Sequence, residues 1–227
     1  MNLKLLQYES KKLFYNKYLY CLTATNQLGS IFRNKNFKYA STQLDGLQAD
    51  LEAGLPLISS KLLRAIPVKE SHFLDAKVIY NQLTRYRKDY IVRIEHPHIN
   101  FYSNDSDFLL KLSYKLHHAK EWHQPDSKYI DFLKANASTI IVNDNKYSYK
   151  VTFNGNRANK NLSEWLRNNK DKVKSTQLLI EDIESLGYIN GRYVYVTTEN
   201  VLMLLKIVAG DSIQRVDKLV SKQSIDK

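Results

Sequence analysis

The stretch that most constrains this chain runs from Tyr90 to Leu116, YIVRIEHPHINFYSNDSDFLLKLSYKL. Tyr90, Val92 and Ile94 alternate with Ile91, Arg93 and Glu95, the two-residue period of a strand with one wet face. Pro97 has no N–H to give a ladder, so the strand should end or turn there. Ile99-Asn100-Phe101-Tyr102 resumes the extended pattern. Ser103-Asn104-Asp105-Ser106 then offers side-chain oxygens to the free N–H groups of a new helix. Phe108, Leu109, Leu112 and Leu116 follow at helical spacing. The order is strand, turn, strand, helix.

A second copy of this unit stands near the C-terminus. His98 to Trp122 can be laid without gaps on Tyr193 to Asp217, which pairs Leu109-Leu110-Lys111-Leu112 with Leu204-Leu205-Lys206-Ile207. Tyr18 to Thr23 (YLYCLT) and Tyr147 to Thr152 (YSYKVT) share the pattern Tyr-x-Tyr-x-aliphatic-Thr. Each half then reads strand, helix, strand, strand, helix, strand, the order of the split β-α-β or ferredoxin-like arrangement. The expected fold class is α+β: two tandem ferredoxin-like (βαββαβ) units with antiparallel sheets packed by helices. The first unit is expected over residues 1–125 with a helical insertion at 24–88, the second over 138–221, and a tail over 222–227.

The remaining segments are expected to fill that frame. Residues 1–16 form a lead-in with a helical pattern over LKLLQYESKKLF, and 26–35 form a loop. A helix runs from Asn36 or Ser41 to Glu52, stopped by Gly54 and Pro56. Residues 55–71 are irregular or a short strand pair. A second helix spans His72 to Tyr86, closed by the basic run Arg85-Tyr86-Arg87-Lys88, which suits a helix C-terminus. Past the boundary, Asn143-Asp144-Asn145 is a turn signal. Leu162 to Asn169 is a short helix with Trp165 buried. Thr176 to Leu186 leans to a strand. Asn190-Gly191 signals a hairpin, and Glu199 to Gly210 holds a strongly apolar helix.

At 227 residues with 43% hydrophobic content, the chain can bury a real core. It has no run of about 18 apolar residues, and its first residues lack the apolar stretch of a signal peptide. The single cysteine, Cys21, excludes an internal disulfide and a cysteine-based zinc site and fits a reducing compartment. An intracellular, cytoplasmic protein is expected. The formal net charge is +11, with excesses of +4, +4 and +3 over residues 1–76, 77–150 and 151–227. Charge spread in this way favours polyanions and steers them at low salt; a merely well-solvated basic surface is the plainer alternative. Tyrosine is abundant, at 16 residues. Either an AT-rich genome or the stacking of bases on a basic sheet would account for it.

Nucleic-acid binding, to RNA or single-stranded DNA, is the expected function. The layout resembles the RNA-recognition version of the ferredoxin-like fold, which stacks bases on aromatic residues of its central strands; its basic-Gly-aromatic signature is absent. The rings expected to stack are Tyr18, Tyr20, Tyr147, Tyr149, Tyr193 and Tyr195. The cations expected to meet phosphates are Arg33, Lys35, Arg85, Arg87, Lys88, Arg93, Lys146, Lys150, Arg192 and Arg215. No cofactor or metal is expected, and the oligomeric state is not legible. His96-Pro97-His98, with Leu22-Thr23-Ala24-Thr25-Asn26, resembles the first two motifs of rolling-circle replication initiators. That resemblance implies a metal-dependent nicking enzyme with His96 and His98 as metal ligands. Here the residue between them is proline, and the family's Tyr-x-x-Lys occurs only at Tyr147 to Lys150, on a strand.

Paired ferredoxin-like endoribonucleases that process CRISPR transcripts are similar in layout but carry a glycine-rich loop missing here. His72, His117, His118 or His123 could serve such chemistry as a general base. FYSND and IQRVDKLV resemble pieces of small proteins of marine tailed phages, which implies a viral structural or protein-interaction factor without enzymatic activity. No phosphate-binding glycine loop or nucleophile elbow is present.

Overall fold

The computed structural model describes residues 5–61, 64–144, 146–185 and 187–226. The protein is α+β, with two five-stranded mixed sheets flanked by helices. It divides into two compact units between Ile130 and Asp131. Met1 to Lys4 of the lead-in, Leu62 and Leu63 of the 55–71 segment, Asn145 of the expected turn, Leu186 and Lys227 of the tail lie outside the described residues. Among the described residues no helix is long and apolar enough to cross a membrane.

In the first unit the elements are β1 (Leu6–Glu9), β2 (Tyr20–Thr25), α1 (Phe37–Glu52), β3 (Ile58–Lys61), β4 (Arg64–Pro67), α2 (Glu70–Arg85), β5 (Tyr90–Glu95), β6 (His98–Ser103), α3 (Ser106–Lys115) and β7 (Ala119–Gln124). Strands β3 and β4 pair with each other in a separate two-stranded sheet. The main sheet runs β1-β7-β2-β6-β5. Setting β1 aside, the order is fourth, first, third, second, with antiparallel neighbours throughout. Residues 6–9, expected within a helical lead-in, form an edge strand parallel to β7. Leu6 and Tyr8 are exposed, and the segment is held by its backbone pairing to β7. The expected hairpin turn at Pro97 joins β5 to β6. Asp105 caps α3 by accepting from the Phe108 N–H at 3.0 Å; Asn36 does the same for α1 from Tyr39.

Leu22, Ala24, Ile99, Phe101 and Trp122 turn to the helix-covered side of this sheet. They meet Phe73, Ala76, Ile79 and Leu83 of α2 and Leu109 and Leu112 of α3. Between β2 and α1 a 3₁₀ segment (Gly29–Lys35) replaces the expected loop. Gly29 sits so close to Ile99 that a Cβ there would lie 2.8 Å from Ile99 Cγ1.

The second unit holds α4 (Ile130–Ala135, which begins at the boundary), β8 (Thr139–Val142), β9 (Tyr149–Phe153), α5 (Asn161–Asn168), β10 (Val173–Lys174), α6 (Gln177–Ser185), β11 (Tyr193–Val196), α7 (Glu199–Ala209), β12 (Ile213–Ser221) and α8 (Lys222–Ile225). Its sheet runs β10-β11-β9-β12-β8. Again the order is fourth, first, third, second, with a leading strand, β8, parallel to the fourth.

Three expectations change here. Residues 177–185 are a helix, not a strand: Leu179, Ile180 and Ile183 are its buried side, and Thr176 Oγ1 accepts from the Leu179 N–H. Asn190-Gly191 turns the chain, with Gly191 at φ 75°, but joins α6 to β11 rather than two paired strands. Trp165 is half-buried, and the buried side of α5 is Leu162, Ser163 and Leu166.

The internal match also needs a different offset. The gapless pairing sets Leu112, fully buried, on Ile207, which is 77% exposed. Strand register and helix caps agree on an offset of 93 instead. Phe101, paired with Leu22, then matches Val194, paired with Val151. The caps Asp105 and Thr198 coincide, and Leu109 and Leu112 fall on the buried Leu202 and Leu205.

Candidate nucleic-acid interface

In the second unit Val151, Phe153, Val194 and Val196 point to the helices. Alternation therefore sends Lys150, Thr152, Tyr193 and Tyr195 to the other face. Strand register sets them in rows. One row reads Lys174, Tyr195, Lys150, Asp217, and the next reads Tyr193, Thr152, Arg215. Lys150 Nζ lies 3.8 Å from the Tyr193 ring centroid and 6.0 Å from that of Tyr195. The Tyr193 and Tyr195 centroids are 5.4 Å apart, edge to face, and Tyr147 lies 5.9 Å from Tyr195. Lys146 Nζ stands 5.6 Å from the Tyr147 ring.

The electrostatics of this face are set by two groups. Asp217 is buried to 1% exposure, and Arg215 donates to it through Nε at 2.9 Å. That bond fixes the guanidinium beside the tyrosines while leaving its terminal nitrogens as donors. Burial against the rings pulls the Lys150 ammonium below its usual range, and Asp217 pulls the other way. A cation held over aromatic faces is attracted by them. Burial likewise raises the Tyr195 phenol, with the neighbouring Tyr193 adding to it. The result is a face of three rings and several cations, with the carboxylate of Asp217 tied to an arginine.

The other expected contacts are dispersed. Tyr149 points to the helix side of the second sheet. Arg192 is paired with Asp182 at 2.7 Å. Tyr18 is 2% exposed and donates to Asp89, so its ring is closed to a base. Tyr20 stacks on Trp122 at 5.7 Å on the helix side of the first sheet. Arg33, Arg85 and Arg87 are exposed. Lys35 donates to the Tyr90 carbonyl at 2.6 Å, and Lys88 is paired with Asp105 at 2.7 Å. Arg93 holds Glu95 at 2.7 Å and donates to the Tyr15 hydroxyl. His96 lies in the exposed β5–β6 turn, while His98 opens β6.

Lys174 and Thr152 join the face although the sequence did not single them out. A two-residue strand such as β10 carries no periodicity to find. Among the described residues no group of three or more histidine, cysteine or acidic side chains is arranged to hold a metal ion. The sequence matches no known protein family, characterised protein or solved structure.

Proposed function

We propose that the chain is a tandem of two ferredoxin-like units, and that the outer sheet face of the second binds single-stranded nucleic acid, RNA or DNA. Support for the tandem comes from two sheets with the same strand order and the same extra strand parallel to the fourth. The single observation that carries the binding function is the packed group Tyr147, Tyr193, Tyr195 and Lys150, on one sheet face beside Arg215. Bases stack on such rings whatever their sequence, and cations beside the rings follow the backbone. An overall charge of +11 adds long-range attraction.

Fluorescence anisotropy with labelled twelve-nucleotide single strands, at two salt concentrations, tests this directly. Binding should be measurable at low salt and fall steeply as salt rises. No binding at low salt would refute the function.

A further inference from the structure

The outer face of the first sheet holds a pocket of about 260 Å³ lined by Phe14, Cys21, Thr23, Glu95, His98, Asn100, Tyr102, Glu121 and His123. Its floor is the row Glu121, Thr23, Asn100, set by strand register. Thr23 Oγ1 donates to Asn100 Oδ1 at 2.7 Å, and Asn100 Nδ2 reaches Glu95 at 3.4 Å. Its wall is aromatic: Phe14 packs 5.3 Å from Tyr102 and 6.1 Å, edge-on, from His123. Phe14 is brought there by a tight turn in which the Phe14 N–H bonds to the Tyr18 carbonyl and the Tyr18 N–H returns to Phe14. Tyr15 and Asn16 of that turn sit at φ 53° and 55°, a conformation costly for a bulky residue. Tyr15 is held there by Arg93 and by its edge-on packing against Tyr102.

The pocket asks for donors. Ionised carboxylates only accept. Glu95 is already engaged by Arg93. Glu121 keeps one contact, to His123 at 3.1 Å, and has lone pairs to spare. Among the described residues the buried Nδ1 of His98 has no partner. A phosphate would meet two carboxylates here and be repelled. A flat, neutral ring with two adjacent donors would fit, because a carboxylate takes two parallel N–H groups at once.

Building on the single-strand function proposed above, we infer that this pocket takes one unstacked guanine base. Glu121 accepts from the N1–H and N2–H of its Watson–Crick edge. The base stacks on the Phe14 ring, which the buried Tyr102 backs. The remaining amide N–H of Asn100 and the His98 imidazole serve its O6 and N7. Adenine and cytosine present a ring acceptor beside their amino group, and uracil presents a single N–H between two carbonyls, so each meets the carboxylate less well.

The test compares the full-length protein and Glu121→Gln by titration with a uridine-only twelve-mer and the same strand carrying one central guanosine. The wild-type protein should bind the guanosine strand about tenfold more tightly or better. Glu121→Gln should lose that preference and keep its affinity for the uridine strand. Equal binding of both strands by the wild type, or a preference surviving in Glu121→Gln, would overturn the inference. Saturation-transfer NMR with free deoxyguanosine and deoxyadenosine examines the pocket without any strand, so failure of strand binding is told apart from failure of the pocket. A deoxyguanosine signal that fades in Glu121→Gln and in Phe14→Leu supports it. No signal, or equal signals for the two nucleosides, refutes it.

Discussion

The two sheets carry the same scaffold and opposite outer faces. Where the second has Lys150, the first has Cys21; Tyr193 corresponds to Asn100, Arg215 to Glu121, and Asp217 to His123 in the equivalent registers. Tyr195 and Tyr102 are the pair that stays alike. The second face is a basic plane of rings. The first is an acidic and histidine-bearing pocket, walled by the Phe14–Tyr18 turn. Positions turned toward the helices are mostly apolar in both, because a polar group there needs a buried partner, as Ser103 finds in the Tyr86 hydroxyl and the Asp89 carbonyl. Outward positions tolerate polar residues, and the buried ones, Asp217 and Asn100, are partnered on the face itself, so the two faces can differ in chemistry on a shared strand order.

The comparison can be tested first at the shared core. Phe101 and Val194 are equivalent and both are fully buried. Phe101→Ala should cost about 3–5 kcal/mol, and Val194→Ala about 2 kcal/mol, by urea denaturation. Equal costs would mean that the two cores do not scale with the volume removed. On the outer faces, Tyr193→Ala should weaken single-strand binding by about 1–3 kcal/mol. Tyr102→Phe, at the position equivalent to Tyr195, should leave the affinity for a uridine strand unchanged. A similar loss from both would erase the distinction between the faces.

Lys150→Gln should lower the slope of log affinity against log salt by about 0.7. Its stability should change by less than about 0.5 kcal/mol, because relief of burial and loss of the ring contacts oppose each other. An unchanged slope would remove Lys150 from the phosphate path.

The smallest effect concerns pH and sits in the first unit alone. His72 is buried and stacks on His118 at 4.1 Å. Burial, and after it His118, holds its imidazole below the ordinary 6.5. The unfolded chain therefore binds the proton more readily, and stability should fall as pH drops below about 6.5 toward the folded value. His72→Phe should flatten that acid limb; a limb that keeps its slope would place the titration elsewhere.

Much of this fold was legible from residues. Pro97 marked the β5–β6 turn, Asp105 the start of α3, and Gly210 the end of α7. The element order came through because strand and helix periods differ. Leucine-rich helices blurred the register: α3 and α7 match in sequence at an offset of 95, and only caps and burial select 93. TQLLIEDIESL satisfies either period over so short a span, and the Thr176 cap decides for helix. The faces were the least legible part. Period-2 alternation says which side chains share a face, but not which face the helices cover. Tyr20 and Tyr149 accordingly went to the covered side, while Tyr193 and Tyr195 stayed outside. The first-unit pocket draws its residues from four strands and a distant turn, so no local pattern announces it.

The most direct test of the central claim is photo-cross-linking of a uridine-only twelve-mer carrying photoactivatable uridines, with cross-linked peptides mapped by mass spectrometry. We expect adducts on peptides containing Tyr147, Tyr193 and Tyr195. Adducts confined to the first unit, around Arg85 to Lys88 or the face of Asn100 and Tyr102, would contradict it.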